Sequence, residues 1–168
     1  MIVACFVYLH NAVLPLTKEK ETFQGTRALL YQCPGMGPSS TLQFLPQHQP
    51  VRMGRGRILI VYTFSTRNCK QSIELFAPLV NTHNAFQNEK VAFMVLSKSR
   101  VDEIQEFLST KVSKVRVPST VSIASDCDGD AMDRLNKSQN VTAIPRAFIV
   151  NGRGFMEWHG HPLQVDQL

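Results

Sequence analysis

The chain has 168 residues, room for one domain and an extension, and 43% of them are apolar, enough to bury a core. The net charge of +5 is uneven: six basic and two acidic side chains precede Ile58, whereas twelve basic and eleven acidic ones follow from there on. The positive excess thus belongs to the N-terminal segment and does not interleave with aromatic residues, which argues against nucleic acid as a partner.

Residues 1–56 contain five of the nine prolines, and the stretch from Gln32 to Pro50 mixes Pro, Gly, Ser and Gln without a period. That composition reads as an N-terminal extension, disordered or loosely packed, ending near residue 56. The apolar run from Ile2 to Leu16 is interrupted by His10, Asn11 and Pro15. It is too short to span a bilayer, and no basic segment precedes it, so no membrane span is expected. The four cysteines, Cys5, Cys33, Cys69 and Cys127, lie far apart and form no CxxC or CxxH pair. A disulfide framework, a zinc site and any other cofactor are therefore not expected, and a reducing, cytoplasmic location is the default. Export or anchoring by the N-terminal apolar run is the alternative location.

From Arg57 the pattern becomes regular. Ile58 to Phe64 is a β-branched and aromatic run without a breaker, the mark of a buried central strand. Cys69 to Phe86 carries Ile73, Phe76, Ala77 and Val80 at helical spacing, with Pro78 predicting a kink. Val91 to Leu96 predicts a second buried strand. Val101 to Leu108 predicts a helix with Asp102 and Glu103 in its first turn. Thr120 to Ala124 predicts a strand, and Asp130 to Lys137 a short helix. Arg146 to Val150 and Phe155 to His159 predict a hairpin around a Gly-containing turn. The order β-α-β-α-β-α-β-β implies an α/β fold whose largely parallel sheet becomes mixed through the closing hairpin.

Three stretches go further than periodicity. Phe64-Ser65-Thr66-Arg67-Asn68-Cys69-Lys70 follows the first strand and opens a helix. Val141-Thr142-Ala143-Ile144-Pro145-Arg146 leads into the hairpin, and Gly154 and Trp158-His159-Gly160-His161-Pro162 complete it. Together they resemble the thioredoxin superfamily, most closely its redoxin or TlpA-like branch, over residues 57–168. The resemblance implies a thioredoxin-like domain with a central mixed sheet flanked by helices and an inserted helix and strand between Val101 and Ala124. It also implies a cis-proline at Pro145 beside Cys69, where the backbone of Ala143 and Ile144 can pair with an extended peptide. Two departures stand out. Thr66 occupies the position of the family's first, nucleophilic cysteine, so the motif reads Thr-Arg-Asn-Cys. The last helix after the hairpin is missing or truncated, which could leave one sheet face partly uncovered.

A helix start favours the thiolate of Cys69, and Arg67 and Lys70 add positive charge. Thr66 could cap the helix or donate to the sulfur. Against this, the resemblance gives Cys69 the buried, resolving position, and burial opposes ionisation. The candidate catalytic residues are Cys69, Thr66 and Arg67, and the candidate substrate-binding residues are Ile144 and Pro145. The implied function is a monothiol redox or thiol-sensing role on protein thiols. The alternatives are a redox-inactive module that binds an extended peptide at the Cys69/Pro145 surface, or a peroxiredoxin-like peroxidase. Thr-x-x-Cys resembles the peroxiredoxin motif, but Tyr62 stands where that family has Pro. Cys127 is expected about 10 Å from Cys69, two strand positions away, which is too far for a disulfide without movement. His159 and His161 read as surface residues rather than metal ligands. Asp126, Asp128, Asp130 and Asp133 read as a solvated loop leading into a helix, since the closing Glu of a calcium loop is absent.

Overall fold

A computed structural model describes residues 42–51, 57–67, 69–86, 90–139, 142–152 and 155–167. Its strands are β1 (Gln43–Phe44), β2 (Ile58–Thr63), β3 (Val91–Ser97), β4 (Ser122–Ser125), β5 (Arg146–Val150) and β6 (Met156–Gly160). Its α-helices are α1 (Cys69–Glu74), α2 (Phe76–Ala85), α3 (Val101–Thr110) and α4 (Asp130–Gln139), and a 3-10 helix spans Pro162–Gln167. Among the described residues the strands form a six-stranded mixed sheet in the order β1-β4-β3-β2-β5-β6. β2 runs parallel to β3 and antiparallel to β5.

All six residues of β2 are buried, as an uninterrupted apolar run requires when helices cover both sheet faces. Alternation along the strands sorts the core into two layers. Ile58, Ile60, Tyr62, Phe93, Val95, Ala147 and Ile149 pack into one. Leu59, Val61, Met94, Leu96, Phe148 and Val150 pack into the other. The first layer is covered by Leu75, Phe76 and Leu79 around α2, by Ile104 and Phe107 of α3, and by Val165 of the 3-10 helix. The second receives Ala131, Met132 and Leu135 of α4. The residues after the hairpin therefore contribute to the core, Val165 being 1% exposed.

The helix expected over Cys69 to Phe86 is divided at Leu75, three residues before Pro78. The reason is the missing proline N–H. Pro78 cannot donate to the Glu74 carbonyl, and its ring crowds that carbonyl, so α1 stops at Glu74. Helix α2 then starts with Leu79 N–H donating to Leu75 O at 3.0 Å. At α3, the Arg100 N–H donates to the Glu103 carboxylate at 3.2 Å and closes the first turn.

The sheet also takes in residues ahead of Arg57. β1 pairs antiparallel with β4, Leu45 N–H donates to Ile123 O at 3.0 Å, and Gln49 N–H donates to Ser119 O at 2.9 Å. Leu45 is fully buried in the first core layer. His48 is buried as well, with its Nδ1 2.9 Å from Val121 O. Burial lowers the pKa of His48, while the carbonyls of Val121 and Pro118 pull it back up. Residues 1–41 and 52–56 of the expected extension lie outside the described residues.

Leu45→Ala tests how firmly this segment is packed. Removing a fully buried leucine from the core is expected to lower the unfolding free energy by about 2–4 kcal/mol in urea titration. A loss within about 0.5 kcal/mol, the range of surface substitutions, would show that the segment adds little.

Candidate functional site

The parallel strands β2 and β3 end at the same sheet edge, and β5 enters from that edge, since Thr63 pairs with Arg146 across the β2–β5 ladder. The turn after β2, the turn after β3 and the Ile144–Pro145 segment therefore converge. Phe64 anchors the first turn. Its N–H donates to Leu96 O at 3.0 Å, and its ring meets Phe76 edge-on at 5.5 Å between centroids. Ser65 N–H donates to Ser72 Oγ at 3.1 Å, and Ser65 Oγ accepts the Arg67 N–H at 3.2 Å. These bonds lead the chain from β2 towards α1 without exposing the strand end.

Thr66 is half-buried, and its hydroxyl lies 2.7 Å from the hydroxyl of Ser99 in the turn after β3. Ser99 is held in turn by Ser97 Oγ, which accepts its N–H at 3.2 Å, and by Ser125 Oγ, which donates to its carbonyl at 2.7 Å. Arg67 is exposed. Cys69 is the first residue of α1, whereas Asn68 and the side chain of Cys69 lie outside the described set.

The Ile144–Pro145 peptide bond is cis, as the motif led us to expect. Pro145 is buried and Ile144 half-buried against the second core layer. Thr63 Oγ1 donates to Arg146 O at 3.3 Å, which fixes the entry to β5. The Arg146 guanidinium reaches along the hairpin and donates to His159 Nδ1 from Nε at 3.2 Å and Nη2 at 2.6 Å. Burial and the Arg146 charge both lower the pKa of His159, so it serves as a neutral acceptor.

A cavity of about 390 Å³ opens between these turns. Phe64, Met132 and Ile144 give it an apolar floor, and Ser65, Ser97 and Ser99 line it with hydroxyls. Arg67, Lys98, Arg100 and Glu103 supply its charges. Of the expected site residues, Arg67 and Ile144 meet here, and Thr66 lies behind the cavity through Ser99. The residues from Ser97 to Arg100 and Met132 were not anticipated. One signal could have found them: every strand-to-helix turn of a parallel pair opens at the same edge.

The turn after β4 reaches the same edge. Cys127 is an exposed free thiol, 2.9 Å from Ser125 Oγ, and β4 stands two places from β2 in the sheet as expected. Asp126 is not solvated. It is 0% exposed and accepts N–H groups at the start of α4, from Met132 at 2.8 Å and Ala131 at 3.4 Å. Gly129 turns the chain with φ of +73°, and a side chain there would meet Lys98 Cε at 2.9 Å. Lys98 in turn donates to Asp133 at 2.7 Å. Among the described residues no group of three His, Cys, Asp or Glu side chains could hold a metal ion, and no helix is long and apolar enough to cross a membrane.

The six-stranded mixed sheet, the helices over both of its faces and the cis Ile144–Pro145 bond give this domain a thioredoxin-like fold. Solved structures bear out the architecture. Tryparedoxin II, determined with glutathionylspermidine, aligns at a TM-score of 0.59 and 16% identity, over 83% of this chain and 92% of that one. StoA of Bacillus subtilis aligns at 0.50 and 15% identity, over 76% and 95%. A thiol:disulfide interchange protein of the thioredoxin family from Chlorobium tepidum aligns at 0.51 and 14% identity, over 67% and 77%. At these identities the likeness is one of fold. No protein-family model and no curated protein matches the sequence.

Asp126 gives the site region a pH signature. Burial raises its pKa above the usual 3.8, against the bonds from Met132 and Ala131 and the charge of Lys98, with Asp130 adding to the rise. The folded state then holds the proton more tightly than the unfolded chain, so its contribution to stability is full below 3.8 and declines as pH rises through the elevated folded value. Wild type is accordingly expected to lose stability relative to Asp126→Asn as pH rises from 3.8, in paired denaturation curves. Asp126→Ala, which removes the cap, is expected to cost about 1–2 kcal/mol at neutral pH.

Proposed function

We propose that this domain works as a monothiol: Cys69 exchanges with disulfides of protein substrates, and Ile144 and Pro145 help to position the substrate. The observation that carries the reading is the convergence of the Cys69 helix start with the Ile144–Pro145 segment at one sheet edge, beside a cavity lined by Arg67 and Ile144. The fold shared with a thiol:disulfide interchange protein supports a redox role for that edge.

In this reading the Cys69 thiolate attacks one sulfur of a substrate disulfide. The Cys69–substrate S–S bond forms as the substrate S–S bond breaks, and the departing sulfur leaves as a thiolate that takes up a proton. A second thiol, from the substrate or a small thiol, then attacks the mixed disulfide and restores Cys69. Arg67 and Lys70 favour the thiolate, and Thr66 shapes the turn through Ser99.

A second reading has its own support. Thr66, standing where the resembling family has its nucleophile, spends its hydroxyl on Ser99 within the protein, which suits a redox-inactive module that binds extended peptide on the same surface. A reducing compartment suits cysteines spaced as these are.

The two readings part in the pH dependence of Cys69 alkylation, followed by mass spectrometry with Cys69→Ser as control. The monothiol reading expects an apparent pKa below the free-cysteine value of about 8.5 and mixed disulfides that vanish in Cys69→Ser. A value at or above it favours the binding module. Thr66→Cys completes a dithiol and is expected to confer thiol-driven reduction of insulin, scored by turbidity, that wild type lacks.

A further inference from the structure

The cavity beside the Cys69 turn carries more basic than acidic groups. Among the described residues, Arg67, Lys98 and Arg100 line it against the single carboxylate of Glu103. This local excess stands out because the chain from Ile58 onward is nearly balanced, with twelve basic and eleven acidic side chains. Lys98 and Arg100 do hold carboxylates, Asp133 at 2.7 Å and Asp102 at 3.3 Å, but neither aspartate lines the cavity. The Arg100–Asp102 pair is largely exposed and the Lys98–Asp133 pair about half exposed, and solvent-screened pairs contribute little net free energy, so an incoming carboxylate competes with them.

The floor is of a different character. Phe64 and Met132 are buried and Ile144 half-buried, so the depth of the cavity suits an apolar side chain. The hydroxyls of Ser65, Ser97 and Ser99 on its wall suit backbone amides. An apolar floor, hydroxyl walls and a cationic rim fit a peptide with an apolar residue flanked by carboxylates better than a small inorganic anion, which would leave the floor unused.

We propose that this cavity selects acidic, cysteine-containing peptide segments as the substrates of Cys69. The inference rests on the reading of Cys69 as the reacting thiol and adds the charge class of its substrates. Rim charges act chiefly on the rate of encounter, where a concentrated field raises association by tenfold or more at low salt.

The test uses the full chain and two peptides of equal length. Each carries one cysteine as a mixed disulfide with thionitrobenzoate, flanked by glutamates in one and lysines in the other. Release of thionitrobenzoate by wild type minus that by Cys69→Ser, which subtracts the reaction of exposed Cys127 and the other thiols, gives the second-order rate constant with Cys69, normalised to the rate with 2-mercaptoethanol to remove intrinsic differences in reactivity. The acidic peptide is expected to react about tenfold faster at low salt. The ratio should fall towards one at about 0.5 M salt, where the Debye length shrinks to a few ångströms. Arg67→Gln and Arg100→Gln should each reduce it, and the salt profile of wild type decides the matter should either variant fail to fold. Equal rates, or a faster basic peptide, overturn the inference and leave the Cys69 reading intact. Should Cys69 be inert towards both peptides, that reading fails by itself. Charge selectivity is then read from fluorescence anisotropy of the reduced, labelled peptides on Cys69→Ser: preference for the acidic one sustains the cavity assignment, and no preference overturns it.

Discussion

Strand β2 is hydrogen-bonded along both edges, to β3 on one side and β5 on the other, and its side chains alternate between two apolar layers. A slip of one residue would exchange Ile58, Ile60 and Tyr62 with Leu59 and Val61 and mismatch both layers together. This double commitment fixes where β2 ends. Because β3 is parallel and β5 antiparallel, the exits of β2 and β3 and the entry of β5 must share one edge. The Thr66–Ser99 contact, the Thr63–Arg146 contact and the cavity between them all follow from that register.

How much of this could be read in advance differs from residue to residue. The strands of the sheet centre were legible because they are long, apolar and β-branched, and Arg146–Val150 appears with its expected limits. The cis bond at Pro145 followed from the motif around it. The interruption of the helix was legible from Pro78, and it falls at Leu75 because a proline disturbs the carbonyl four residues before it. β1 was hidden for a different reason. Two residues paired to β4 leave no period in a proline-rich stretch, and Leu45 is held by a tertiary bond to Ile123. Asp126 sits among other aspartates that do face solvent, and composition alone does not separate a capping carboxylate from its neighbours.

The site region shows the same division. Thr66, Arg67 and Cys69 form one sequence string, so they could be named together. Ser99 and Ser125 could not, because Ser99 joins the network from the turn after β3 and Ser125 from the last position of β4. Their hydroxyls tie three turns at one edge, from the β2 exit through the β3 exit to Cys127 beyond β4. Buried or half-buried hydroxyls with partners on neighbouring loops restrict the loops more than isolated surface contacts do. The edge that carries the candidate thiol is therefore braced sideways as well as anchored from below by Phe64.

The small strand β1 has a consequence for how the domain behaves when handled in isolation. Its pairing and the bonds from Leu45 and Gln49 occupy the outer edge of β4. A fragment cut at Arg57, where the regular pattern begins, would leave Ser122–Ser125 with free amides and carbonyls along one side. An uncovered strand edge is a template for another chain. Such a fragment would tend to self-associate through intermolecular sheet extension, because the strand that covers this edge, Gln43–Phe44, would have been cut away.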